Sequence, residues 1–179
     1  MDLKIIEEST IPQNIDQMIK DGLCICFEPD VEVFSKTRAW HGSAPAWSIV
    51  IVDDDRVAAH VGIVDRVISA GGEQIRVAGI QNVFVLKNYR GQKLCDKIMD
   101  AAMKEAGRRD FDAGLLYCIP ELEKVYARCG WQLLPKEDVI RVDENGDELA
   151  LPDKNIAMFY PLKVKGFPVG TVHIQGNDW

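Results

Sequence analysis

A chain of 179 residues with 47% hydrophobic and 27% charged side chains has the size and balance of one domain that buries its own core. Its formal charge of -7, from 28 acidic against 21 basic residues with no Lys/Arg block, excludes a nucleic-acid face and suits a cationic ligand. No apolar run reaches the roughly 18 residues of a membrane span, MDLKIIEEST lacks a signal-peptide pattern, and Cys24, Cys26, Cys95, Cys118 and Cys129 include no CxxC pair. The expectation is a cytoplasmic protein with no membrane, disulfide framework or metal site.

In chain order, DLKIIEE alternates as an edge strand, and Pro12 opens IPQNIDQMIKDGL as a helix that Gly22 is expected to end. The stretch from Cys24 to Pro45, with Glu28, Asp30, Glu32, Phe34 and Trp40, suits a substrate-covering segment. WSIVIV, a turn at Asp53-Asp54-Asp55, and RVAAHVGIVDRVIS form a hairpin. Gly71-Gly72 then turns the chain into EQIRVAGIQNVFVLK, where Gly79 and Gln81-Asn82 predict a bulge. After Asn88 the period becomes helical, with Leu94, Ile98, Ala101, Ala102 and Ala106 on one face to about Arg109. AGLLYC reads as a buried strand, PELEKVYARCGW as a helix from Pro120 to Gly130, VIRVDENGDEL as a hairpin at Asn145-Gly146, and NIAMFYPL as a strand before a Gly/Pro-rich tail. The expected fold is a single α+β domain over residues 1–179, a mostly antiparallel mixed sheet with helices on both faces and one parallel pairing late in the order.

The junction VLKNYRGQKL feeds a short polar loop into a helix N-terminus, whose free N–H groups and dipole favour an anion. A pyrophosphate fits there with Arg90 and Lys93; spacing alone equally allows a turn glycine at Gly91 beside a solvated basic face. NVFVLKNYRGQKLCDKIM resembles the acyl-CoA-binding motif of the GNAT superfamily, in which a strand leads to Arg/Gln-x-x-Gly-x-Gly/Ala and a helix. Arg90 fills the first position, whereas Lys93 and Cys95 stand at the two small positions. Aminoglycoside 2'-N-acetyltransferases carry a similar Arg-Gly-Gln-Arg-Leu. The resemblance implies acetyl-CoA as cofactor, bound by Val83, Phe84, Val85, Arg90, Gly91, Gln92, Lys93, Leu94 and Cys95, and, as is common in that superfamily, a homodimer.

PELEKVYARCGW likewise resembles the family's Tyr-x-x-x-Gly-Trp/Phe ending, filled by Tyr126, Gly130 and Trp131. The resemblance implies that Tyr126 lies near the cofactor sulfur and that the Val83 N–H, just after the bulge, is the oxyanion donor. Acyl transfer needs a neutral amine, and the base that supplies it stays open. Gln81 stands where the aminoglycoside enzymes have a glutamate, and an amide takes no proton at neutral pH. His60, Asp30, Glu32, Asp178 and the terminal carboxylate are the remaining candidates, of which His60, inside an apolar strand, reads rather as a satisfied structural histidine.

Two amino-sugar families resemble other parts of the chain. GTVHIQGNDW is similar to the aminoglycoside 2'-N-acetyltransferase ending, which implies that Asp178 and Trp179 contact a cationic sugar. FSKTRAWHGSAPAWSIVIVDDDRVAAHVG resembles the nodulation-factor N-acyltransferase, which places a fatty acyl group on a chitin oligosaccharide amine. Glu32, Trp40, Gln81, Asn82 and Tyr117 are expected around the acceptor with Asp178 and Trp179. The expected reaction is acetyl transfer from acetyl-CoA to an aminoglycoside-like amino sugar; the alternatives are a longer acyl donor or a CoA-binding module without turnover.

Overall fold

The computed structural model describes residues 1–135, 139–143 and 145–179. Strand β1 (Asp2–Glu7) pairs antiparallel with β2 (Trp47–Asp53), β2 with β3 (Arg56–Ala70), and β3 with β4 (Glu73–Val85). The β2–β3 turn puts Asp54 at φ 51°, a left-handed position that a short polar side chain tolerates. Strand β5 (Ala113–Cys118) lies parallel to β4, and β9 (Ile156–Pro161) and β6 (Gln132–Leu134) extend that edge. Beyond the other side of β3 come β10 (Val172–His173), β7 (Val139–Val142) and β8 (Glu148–Ala150), which completes a ten-stranded sheet among the described residues. The fold is α+β with a mostly antiparallel mixed sheet. Strands β6 and β10, of three and two residues, are too short to leave an alternation in the sequence.

Helix α1 (Gln13–Cys26) buries Ile15, Ile19, Gly22 and Leu23 on one stripe. The expected stop at Gly22 is corrected: a Cβ there would lie 2.3 Å from Phe84 Cζ. The glycine lets strand β4 and the helix approach, and the helix runs on to its cap at Phe27. Helix α2 (Val31–Phe34) joins α1 over Val50, Val57 and Phe84. Helix α3 (Leu94–Arg108) covers the opposite face, where Leu94, Ile98, Met99 and Ala102 meet Ile49 and Ile51. Alternation along β2 thus sends Val50 to one helical layer and its neighbours to the other. Helix α4 (Glu123–Ala127) packs on the α3 side through Tyr126. No helix among the described residues is long and apolar enough to cross a membrane.

Candidate active site

The site begins with an irregularity in β4. His60 stands opposite Phe84, and pairing resumes at Gly62 opposite Gln81, so Asn82 and Val83 together face Val61. This is a bulge, and Asn82 takes φ 55° within it. The Asn82 amide donates to the Arg38 carbonyl at 2.7 Å. Strand β5 pairs with β4 only from Val77 and Ala113 to Ile80 and Leu116. The pairing therefore stops where the bulge begins. Gly79, expected at the bulge, has another role: a Cβ on it would lie 2.4 Å from Cε2 of the Trp179 indole.

A cleft of about 780 Å³ opens beyond that point between the end of β4, the N-terminus of α3 and α4. Val83, Phe84, Val85, Arg90, Gly91, Lys93, Leu94 and Cys95 all line it; Gln92 is exposed and stands outside the lining. Lys93 makes no side-chain cap on α3, and the residues of the first turn line the cleft, so the free N–H groups of that turn lie at its edge. Lys93, at the N-cap, takes φ 58° and is exposed, and Gly91 takes φ 80° with open space where a Cβ would be. Arg90 Nε donates to the Val85 carbonyl at 3.2 Å, which ties the loop back to the strand. Asp96, the one acidic residue of that first turn, is engaged by Arg128 at 2.7 Å. That pairing offsets its repulsion of an anion.

Tyr126 lines the same cleft from α4 and is 7% exposed. Burial pushes its phenol far above the ordinary range, with the neighbouring thiols of Cys95, Cys118 and Cys129 acting the same way. The hydroxyl is therefore a donor throughout the working pH range. Gly130, at φ 92°, lets the chain turn so that the Trp131 N–H bonds the Tyr126 carbonyl at 3.3 Å. The Trp131 ring then meets Tyr126 edge-on at 6.5 Å, which gives the Tyr-x-x-x-Gly-Trp ending its physical meaning.

Gln81 and Tyr117 are the residues that directly follow the last β4–β5 pair. Gln81 Nε2 donates to the Ser43 carbonyl at 2.9 Å, but its Oε1 and the Tyr117 hydroxyl are buried without a hydrogen-bond partner among the described residues. Burial, aided by the Asp178 charge, holds the Tyr117 phenol well above its ordinary range. The tail closes this side. Arg66 lies 4.8 Å over the Trp179 ring and donates to the Asn177 carbonyl at 2.6 Å and to Ser43 Oγ at 2.9 Å.

Here one expectation is corrected. Asp178 is buried and its carboxylate takes His41 Nδ1 at 2.9 Å and Arg141 at 3.7 Å. Burial opposes its ionisation, but the His41 bond and the charges of His41 and Arg141 outweigh it and lower its pKa. Trp179 is 4% exposed and donates to the Leu115 carbonyl at 3.3 Å. Neither residue offers an open face to a cationic sugar, because both complete the wall behind Gln81 and Tyr117. Trp40 stacks between Phe34 and His41 at 5.3 and 4.4 Å, and Glu32 is exposed on α2.

His60 is the satisfied structural histidine expected of its apolar strand, but the buried polar cluster that satisfies it under the bulge escaped the sequence reading. His60, fully buried, bonds the Asn82 carbonyl at 2.8 Å through Nδ1. Its Nε2 lies 3.2 Å from Ser48 Oγ, which donates to Glu8 at 2.7 Å, and Arg38 holds Glu8 and Asp16. The only signal was polar Ser48 and His60 inside two apolar strands.

Residues 14–134 match the family model of the acetyltransferase (GNAT) domain. The chain belongs to the GNAT family. Among solved structures, this GNAT chain is similar to the GNAT family N-acetyltransferase YhbS of Escherichia coli, determined in complex with CoA. That likeness has a TM-score of 0.68 at 18% identity, over 97% of this chain and 88% of that one. An acyl-CoA N-acyltransferase of Pseudomonas aeruginosa gives a TM-score of 0.63 at 15% identity, over 89% and 98% of the two chains. Both likenesses show the fold. Nodulation protein A of Azorhizobium caulinodans is 38% identical over 58 residues, 32% of this chain and 26% of the relative. That match therefore spans about a quarter of the relative's length.

Proposed function

We propose that this GNAT chain is an N-acyltransferase that moves an acyl group from acyl-CoA, acetyl-CoA in the first instance, to an amino-sugar amine by direct attack in a ternary complex. The observation that carries the reading is the cleft itself, where the strands stop pairing at a bulge and an uncapped 15-residue helix points its N-terminus inward. The residues fit the cofactor: the first turn of α3 with Arg90 and Lys93 would hold the pyrophosphate, and Val83 to Val85 the pantetheine arm. Bound there, acyl-CoA supplies an activated thioester carbonyl. With that group bound, the Val83 N–H would donate to its carbonyl oxygen as negative charge develops. Tyr126 would donate a hydrogen bond to the leaving sulfur; with its phenol pushed so far up, it would keep its own proton.

The acceptor is assigned to the side of Gln81 Oε1 and the Tyr117 hydroxyl, which lie buried beyond the lining of the cleft and, once the segment over them opens, would accept from and donate to an amine and its neighbouring hydroxyl. An amine beside hydroxyl-bearing carbons is partly neutral already, so attack needs no strong base, and the proton that the nitrogen sheds as the C–S bond breaks would go to the departing CoA thiolate. With Asp178 engaged by His41 and Arg141, a sugar with one free amine fits better than a polycationic aminoglycoside. A second reading, a longer acyl donor, is favoured by the apolar banks of the cleft: Leu122 and Phe27 line it, and Ile119 and Ile25 stand exposed near them in the chain.

The test is thiol release from acetyl-CoA and from longer acyl-CoAs with chitosan oligomers, aminoglycosides, polyamines and lysine peptides. Turnover with the sugars supports the reading, and the preferred chain length decides between donors. Turnover with non-sugar amines alone would remove the acceptor assignment, and CoA binding without any turnover would remove the enzyme.

A further inference from the structure

We propose that His60 is a positioning residue that aims the Val83 N–H into the cleft; this rests on the reading of Val83 as the oxyanion donor. The carbonyl that His60 holds and the N–H that would act belong to one peptide unit. No peptide bond among the described residues is cis, so the Asn82 carbonyl and the Val83 N–H point in opposite directions across one rigid plane. Whatever fixes the carbonyl fixes the N–H.

His60 Nδ1 lies 2.8 Å from the Asn82 oxygen. A carbonyl only accepts, so Nδ1 carries the hydrogen whichever way the Ser48 proton turns. The ring is itself immobilised. Phe84 stacks on it at 5.5 Å, Ser48 Oγ lies 3.2 Å from Nε2, and Arg38 donates to Ser48 at 3.3 Å and to Glu8 at 2.9 Å. The bulge makes this tether necessary. Asn82 and Val83 oppose Val61 alone, so their peptide lacks the paired register that orients its neighbours on β4. The second tether, from the Asn82 amide to the Arg38 carbonyl at 2.7 Å, comes from the same buried cluster. A bond donated to the carbonyl also polarises the peptide and makes its N–H a stronger donor.

Two substitutions separate orientation from mere packing. His60→Phe keeps a buried ring and removes the donor, whereas His60→Asn keeps an N–H near the place of Nδ1 and leaves a cavity. The phenylalanine variant is expected to lose about tenfold to hundredfold in kcat with KM for acyl-CoA within about twofold, and the asparagine variant to stay within about threefold in kcat. The ligand-free protein gives an independent reading. In 15N-labelled protein the Val83 amide proton should move upfield in His60→Phe and hold its place in His60→Asn. An unmoved Val83 amide in the phenylalanine variant, or losses in both variants that follow thermal stability, would overturn the proposal. If the unaltered chain acylates no amine, the reading of the site fails, while the amide shift still decides what His60 holds.

Discussion

Tyr126 and Gly79 show how much depends on single atoms. Tyr126→Phe removes one hydroxyl and keeps the ring on Trp131; kcat should fall about a hundredfold at constant protein stability. Steady-state kinetics beside a thermal melt checks this, and unchanged kcat removes the assignment to the sulfur. Gly79→Ala adds one carbon at 2.4 Å from Trp179. The tail must shift, at a cost of about 1–3 kcal/mol, and denaturant unfolding measures it. Because the same tail backs Gln81 and Tyr117, KM for the acceptor should rise while affinity for CoA is kept. Tyr126 was legible because Gly130 and Trp131 mark its place in the chain. Gly79 was misread because its neighbour is an indole 100 positions away, which no local spacing records.

The elements carry the next level of the argument. The junction of β4 with α3 was legible in VLKNYRGQKL because a helix N-terminus is a local feature: strand, polar loop and apolar stripe follow one another in the chain. At Lys93, where the resembling motif has a small residue, the geometry is plain. Its left-handed backbone keeps the side chain exposed while the helix opens behind it. Arg90 is exposed; its Nε donates to the Val85 carbonyl and its guanidinium also bonds the Cys26 thiol. Arg90→Ala is therefore expected to weaken CoA binding about tenfold, read by calorimetry, with little change in stability. An unchanged affinity would place the pyrophosphate elsewhere. The end of α1 was not legible, since Gly22 usually reads as a stop and here makes room for Phe84. Local punctuation was overruled by a contact across the sheet.

At the scale of the molecule, the buried cluster ties stability to pH. Burial, with the Arg38 charge adding to it and the Asn82 bond opposing, lowers His60 from its ordinary 6.5 to about 3. Between those values the unfolded chain binds the proton and the folded chain does not, so stability falls as pH drops from about 6.5 toward 3. The slope from this group is about 1.4 kcal/mol per pH unit. Denaturant unfolding at pH 7, 6, 5 and 4 should show it, and His60→Phe should flatten that part of the curve. An identical slope in the variant would mean that other groups set the acid limit. The α+β class and the alternation of strands were legible because periodicity survives in long elements such as β3 and α3. The meeting of Glu8, Ser48, His60 and Asn82 was not, because it joins four separate parts of the chain.

The lock between Gly22 and Phe84 also limits how the molecule moves. A one-residue slip of α1 in either direction would drive the Cβ of Asp21 or Leu23 into the Phe84 ring, so the helix cannot ratchet along β4. Phe84 adjoins Val83, and a sliding helix would disturb the cleft. In the proposed reaction, entry of an acceptor would then fall to the span from Glu28 to Ala44, which holds two short helical turns and is latched by Ser43 and His41 to the tail. Hydrogen exchange should find the amides of that span opening well before those of α1; equal protection in both would mean that the two swing as one body.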